Sequence, residues 1–132
     1  MRYFTSILIS LSIFFSSCKK SNEEVIVNDG FTGKWQLVQY WVGTGGGMAM
    51  QYIDPAKPEI IEFKTDSTFT ANSNCLYLKP YNLYKLVNSE RINFYPATPF
   101  LSEWGFSLIN NKLKLYMPGC IEGCIFEYKP VR

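Results

Sequence analysis

Apolar and polar side chains alternate through most of the chain after residue 30, and this period of two constrains the fold more than any other feature of the sequence. Successive side chains of a β-strand point to opposite faces of a sheet, so each alternating run predicts a strand with one buried face. No long stretch after residue 30 has the apolar spacing of a helix. The runs that fit the pattern are residues 33–42, 59–64, 67–75, 81–87, 91–96, 102–109, 112–117 and 124–129.

Short connections that contain turn-forming residues join most of these runs. Asn110 and Asn111 separate two of them, and asparagine tolerates the positive φ angles of tight turns. Because closure removes exposed strand edges, about eight sequential antiparallel strands predict an all-β up-and-down barrel or a sandwich. The alternation places these side chains in the interior: Trp35, Leu37, Trp41, Ile61, Phe63, Phe69, Leu83, Ile92, Phe94, Trp104, Phe106, Leu108, Leu113, Leu115, Phe126 and Tyr128.

The first 17 residues have the features of an export signal. Arg2 supplies a positive charge, and residues 3–15 are apolar except for hydroxyl side chains. This run is shorter than the roughly 20 residues that a membrane-spanning helix needs, but it has the length of a signal-peptide hydrophobic region. Ser16 and Ser17 supply the small residues that precede a cleavage point. The sequence therefore predicts a signal peptide over residues 1–17.

Residues 15–18, FSSC, resemble the lipobox of bacterial lipoproteins, with Phe15 where leucine is usual. The resemblance implies cleavage before Cys18, a diacylglyceryl thioether on its sulfur, and fatty acylation, such as palmitate, on the new amino group. The alternative is an ordinary secretory signal in which Cys18 is incidental. Residues 18–30 are polar and charged, which predicts a flexible tether between membrane and domain. By analogy with enteric lipoproteins Lys19 favours the outer membrane, and Glu23 and Glu24 resemble surface-export signals of some Bacteroidota.

Three segments are similar to the short lipocalin-like lipoproteins of Bacteroidota: residues 31–38 (FTGKWQLV), 59–70 (EIIEFKTDSTFT) and 120–129 (CIEGCIFEYK). The resemblance implies a lipocalin-like β-barrel domain over residues 31–132. It also implies that Trp35 closes one end of the barrel, covered by a basic residue. Pro130 stands where relatives tend to have that basic residue, so Lys129 or Arg132 would have to substitute.

For such a barrel the resemblance implies binding of a small hydrophobic molecule at the mouth. The glycine-rich loop over residues 43–55 is the candidate lid. The alternative is a barrel filled by its own aromatic side chains, which acts as a protein-interaction or inhibitor module at the outer membrane. The candidate ligand-lining residues are Trp41, Met48, Met50, Tyr52, Phe63, Phe94 and Trp104.

Three cysteines remain after Cys18, in a compartment where thiols tend to pair. Cys120 and Cys124 form the favoured candidate disulfide, and a bridge from Cys75 to either of them is the alternative. A zinc site is disfavoured because the chain has no histidine.

The composition argues against several classes of function. Without histidine, neither a Ser-His-Asp nor a Cys-His catalytic arrangement can form. The acids Asp54, Glu59, Glu62 and Asp66 lie beside turns or on the outward face of strands, where solvated carboxylates are expected. The formal net charge is +2, and no cluster of basic residues follows the tether, so nucleic acid is not an expected partner. We therefore expect a protein that is not an enzyme and carries no cofactor or metal.

Overall fold

The computed structural model describes residues 30–96 and 102–131. The predicted signal peptide, Cys18 and most of the predicted tether lie outside the described residues. The described chain contains these strands: β1 (Gly33–Gly43), β2 (Met48–Gln51), β3 (Ile60–Phe63), β4 (Phe69–Ala71), β5 (Leu83–Leu86), β6 (Arg91–Tyr95), β7 (Glu103–Ile109), β8 (Lys112–Tyr116) and β9 (Cys124–Pro130).

All neighbouring strands are antiparallel, in the order β4-β3-β1-β9-β8-β7-β6-β5. β2 also pairs with β1, beyond the segment of β1 that pairs with β3. β2 and β3 therefore act as the two halves of one barrel strand, interrupted by residues 52–59. Between β4 and β5 the sheet is closed by a single bridge, Thr68–Leu83, and by the hydrogen bonds Phe69 N to Asn82 O (2.8 Å) and Tyr84 N to Ser67 O (3.0 Å). The fold is an all-β, nearly closed antiparallel barrel of eight strand positions, which confirms the predicted architecture.

Trp35 lies near the start of β1, toward one end of the barrel. Its side chain is fully buried, and its indole N–H donates a hydrogen bond to the carbonyl oxygen of Phe31 (3.2 Å). The Phe31 ring packs across the same end, 4.2 Å from the Phe63 ring and 4.9 Å from the Phe106 ring, measured between centroids. The basic cover implied for Trp35 is not found at Lys129, which is exposed, and Arg132 lies outside the described residues.

The opposite end is closed by the connection between β4 and β5. The sequence predicted that strand 67–75 continues to Cys75, but β4 ends at Ala71 and the chain turns over the barrel mouth. In this connection Cys75, Leu78 and Tyr81 are buried and belong to the main hydrophobic core. The Tyr81 ring lies 5.3 Å from the ring of Phe94. The connection therefore plugs the mouth with its own side chains.

The prediction that Trp41 points into the barrel is wrong because β1 contains a bulge. The pairing of β1 with β9 shifts between Leu37 and Gln39, which leaves one extra residue in β1. A bulge reverses the facing of all later side chains. Beyond it Tyr40 and Val42 pack against the core, and Trp41 lies on the outer face.

Leu83 is also wrongly predicted as interior, since 45% of its surface is exposed. Its neighbour Tyr84 takes the inward position instead. The Tyr84 ring packs 4.9 Å from the Phe63 ring, and its hydroxyl donates to the carbonyl oxygen of Lys64 (2.8 Å). A tyrosine that fills the interior and satisfies its hydroxyl at the barrel end outcompetes the smaller leucine.

Candidate interaction surface

Aromatic side chains occupy the barrel interior where a ligand chamber was expected. The Phe63 and Phe69 ring centroids lie 5.0 Å apart, and the Phe69 and Phe94 centroids are also 5.0 Å apart. Phe94 in turn meets Trp104 edge-to-face at 5.7 Å. These four side chains are almost completely buried. The predicted ligand-lining residues Phe63, Phe94 and Trp104 therefore pack against one another as core.

A narrow opening lies beneath the plug formed by residues 72–82. It leaves no room for a water molecule. Sites for drug-sized ligands usually occupy about 300–1,000 Å³, so this opening is smaller than such a ligand needs. Its lining consists of Glu59, Tyr77, Leu78, Trp104, Phe126 and Tyr128.

Glu59 lines this opening, and the Cys75 thiol lies beside it. Cys75 is free and buried, and its Sγ lies 3.2 Å from Oδ1 of Asn72. Burial, together with the nearby charge of Glu59, raises the pKa of the Cys75 thiol to about 11. Burial also raises the pKa of Glu59. A thiol with this pKa is protonated near neutral pH, whereas the thiolate is the nucleophile and metal ligand. Cys75 is therefore a structural residue of the plug.

The hairpin of β1 and β2 carries the exposed apolar side chains of the glycine-rich segment. The Thr44 N–H donates to the Gly47 carbonyl oxygen (2.9 Å), and Gly45 takes a φ of +81°, which glycine adopts without strain. On the second strand Met48 and Met50 are exposed, Met50 by 66%. Tyr52, just beyond the strand, is 82% exposed. The segment predicted as a lid thus contains a regular strand on the wall of the barrel.

Glu122, in the β8–β9 connection, holds the tip of this hairpin. Its Oε2 accepts hydrogen bonds from the N–H groups of Gly45 (2.7 Å) and Gly47 (3.3 Å). The approach is so close that a Cβ at Gly43 would lie 2.6 Å from the Cβ of Glu122. The connection itself is crosslinked by a disulfide between Cys120 and Cys124, whose Cα atoms are 5.7 Å apart, as predicted. A covalently constrained loop therefore fixes the hairpin.

Apolar side chains continue from the hairpin across the outer face of the sheet. The register pairs Met50 with Trp41, Trp41 with Ile125, and Ile125 with Tyr116. These four residues form the outer apolar row. Beside it lies a surface groove of about 500 Å³, lined by Glu90, Arg91, Glu103, Gly105, Phe106, Ser107, Tyr116, Met117 and Pro118.

A buried carboxylate borders the same face. Glu127 pairs with Lys112 (2.9 Å) and Lys114 (3.4 Å), and only 5% of its side chain is exposed. Burial alone would raise the pKa of Glu127, but the hydrogen bonds and charges of the two lysines outweigh burial and lower it. The carboxylate is therefore held ionised as a structural anchor between β8 and β9.

The seven predicted ligand-lining residues do not surround one cavity. Phe63, Phe94 and Trp104 lie in the core, whereas Trp41, Met48, Met50 and Tyr52 lie on the outer wall and hairpin. Sequence reasoning missed Glu122, Ile125 and Tyr116. One signal could have indicated the hairpin: no charged residue occurs between Lys34 and Asp54.

Within residues 30–96 and 102–131, no three acidic, cysteine or histidine side chains lie close enough together to hold a metal ion. Over the same ranges, no helix has the length and apolar character needed to cross a bilayer.

Comparison with known proteins gives no match: no family model, no curated protein and no solved structure resembles this chain. The resemblance to lipocalin-like lipoproteins therefore stays a prediction from sequence motifs.

Proposed function

We propose that this protein is a lipid-anchored envelope protein whose filled barrel acts through its outer surface as a protein-interaction module. The observation that carries the proposal is the interior itself: aromatic side chains and the β4–β5 plug fill it, and the opening beneath the plug leaves no room for a water molecule. At the same time, the β1–β2 hairpin exposes two methionines and a tyrosine. Exposed apolar groups that cluster on a rigid element are typical of protein contact sites.

Binding of a small hydrophobic molecule, the function that the lipocalin resemblance implies, has less support. A ligand of usual size would have to displace the plug or the rings of Phe94 and Trp104. Native mass spectrometry of the protein purified from the envelope distinguishes the two functions. We expect the mass of the acylated polypeptide alone, and an extra mass that is lost on denaturation would support the ligand carrier instead.

The surface function can be tested in cells with a photoreactive phenylalanine analogue. Placed at Tyr52, which is 82% exposed, it should give a discrete crosslinked adduct with a partner protein. Placed at Lys85, an exposed residue of β5, it serves as the matched control and should give none. Equal adducts at both positions, or no adduct at Tyr52, would contradict the proposal.

The proposed anchor depends on Cys18 in the FSSC segment. Labelling of growing cells with a clickable palmitate analogue should mark the wild-type protein and fail to mark a Cys18→Ser variant. Equal labelling of both would exclude Cys18 as the attachment point. Two or more acyl chains hold a protein firmly at a membrane, whereas one chain gives only marginal binding.

A further inference from the structure

β2 has a free edge in an otherwise closed part of the wall. It pairs with β1 on one side, and no described residue pairs with it on the other. The reason is the path of the chain after β4. Because β4 ends at Ala71 and the chain then turns over the mouth, the strand that would continue beside β2 is missing. The barrel wall is therefore short by about half a strand.

The hairpin register identifies the backbone groups at this edge. Hydrogen-bonded and non-bonded pairs alternate along an antiparallel ladder. Since Thr44 bonds to Gly47 at the turn, the next bonded pairs are Val42–Ala49 and Tyr40–Gln51. The N–H and C=O groups of Met48 and Met50 consequently point away from β1, toward the missing strand.

The edge is rigid and unprotected. Natural proteins usually guard an exposed edge with lysine, proline or another charge. Here every residue from 35 to 53 is uncharged and none is proline. Glu122 and the Cys120–Cys124 disulfide hold the hairpin tip in place, so little ordering is required when a strand is added.

We propose that the free edge of β2 binds an extended, uncharged segment of a partner protein, which adds as a strand and completes the barrel wall. This inference rests on the proposed surface function and names its mode of recognition. The free N–H and C=O groups along the edge of β2 can form hydrogen bonds with the backbone of an extended polypeptide. Because residues 35–53 carry no charge, we expect this polypeptide segment to be uncharged as well.

A second copy of this chain fits the edge less well than a different protein. If β2 paired with β2 of a second copy, each copy would contribute only the four residues of this strand to the ladder. Stable interfaces use about 20–30 residues a side, so this ladder alone is too small to hold a stable dimer. A partner strand that belongs to another domain can also cover the outer apolar row, where Trp41 and Ile125 continue from Met50.

The test uses a fluorescent, terminally blocked peptide of six alternating threonine and valine residues flanked by single glutamines. Its binding to the full-length protein in detergent is measured by anisotropy. A matched peptide with N-methyl groups on alternate residues cannot form one set of strand hydrogen bonds. We expect the first peptide to bind and the methylated peptide to bind at least about tenfold more weakly. Equal binding of the two peptides, or no binding of either, overturns the proposal.

Two variants at one position separate the backbone from the side chain. Met50→Pro removes an N–H that β1 does not use, so the hairpin should survive, since proline is tolerated on edge strands. We expect about tenfold weaker peptide binding for Met50→Pro and less than about threefold for Met50→Gln, which keeps the N–H. Equal losses in both variants overturn strand addition but leave a side-chain contact surface, and with it the proposed function, standing.

Self-association is measured in the same preparation without peptide, by sedimentation over a range of concentrations. We expect each detergent micelle to hold one protein molecule at every protein concentration. Concentration-dependent dimers that Met50→Pro abolishes would make a second copy the occupant and overturn the assignment to a partner protein. An extra bound mass in the native spectrum would instead remove the proposed function.

Discussion

Replacing Phe94 with alanine tests directly whether the barrel is filled. Phe94 has no exposed surface. Its ring contacts those of Phe69 (5.0 Å), Tyr81 (5.3 Å) and Trp104 (5.7 Å) between centroids. Truncating a buried phenylalanine costs about 3–5 kcal/mol, and the cost rises with the cavity left behind. Since Phe94 is enclosed by aromatic rings and the plug, we expect a loss near the upper end, about 4–5 kcal/mol.

The loss is measured by urea unfolding followed by tryptophan fluorescence. For a domain of about 100 residues it corresponds to a fall in Tm of at least about 15 °C. Leu83→Ala is the matched control, because Leu83 was predicted to be interior but is 45% exposed. We expect this control to cost less than about 1 kcal/mol.

The new cavity gives a second measurement. An apolar cavity that stays dry binds small apolar compounds such as benzene. Benzene should therefore raise the Tm of Phe94→Ala and leave that of the wild type unchanged. If Phe94→Ala costs no more than Leu83→Ala, or if benzene stabilises the wild type as much as the variant, the reasoning that the interior is solid is refuted.

Three further expectations follow from the outer wall. Trp41→Gln should lower the unfolding free energy by less than about 1 kcal/mol in urea titrations, and a loss above about 3 kcal/mol would place Trp41 in the core. Because the pKa of Glu127 is lowered in the fold, its stabilisation is present at neutral pH and is lost as the pH falls through that lowered pKa. In a plot of unfolding free energy against pH, Glu127→Gln should therefore show a smaller loss of stability at acid pH than the wild type. An equal loss in both proteins would contradict this. Reducing the Cys120–Cys124 disulfide should lower the free energy of unfolding by about 2 kcal/mol, from the chain entropy that the crosslink removes. It should also speed amide exchange at Gly45, and unchanged exchange would show that the loop does not hold the hairpin.

The positions of strands were largely predictable because alternation is a local property. Seven of the eight predicted runs coincide closely with strands, and the Asn110–Asn111 turn has the positive φ angles expected of it, 51° and 61°. The run over residues 67–75 was predicted too long, since its second half, including Cys75, forms part of the plug. β2 was not predicted because its glycine-rich context resembles a loop.

The facing of side chains was less predictable, since it depends on pairing. One extra residue in β1, detectable only from its register with β9, moved Trp41 outward and Tyr40 inward. In β5, either Leu83 or Tyr84 could have faced the interior. Tyr84 faces the interior because its hydroxyl donates a hydrogen bond to the Lys64 carbonyl oxygen at the barrel end.

The sequence by itself determined an all-β domain of about eight antiparallel strands with Trp35 in its interior, and it favoured the local disulfide, because alternation, turn residues and cysteine spacing act over a few neighbours. Only the tertiary structure decided that the barrel is filled and that β2 keeps a free edge. Both depend on where the chain travels after Ala71: it leaves the sheet, buries Leu78 in the mouth, and leaves β2 without a neighbour. Such a path is set by the packing of side chains distant in sequence, which no local pattern encodes.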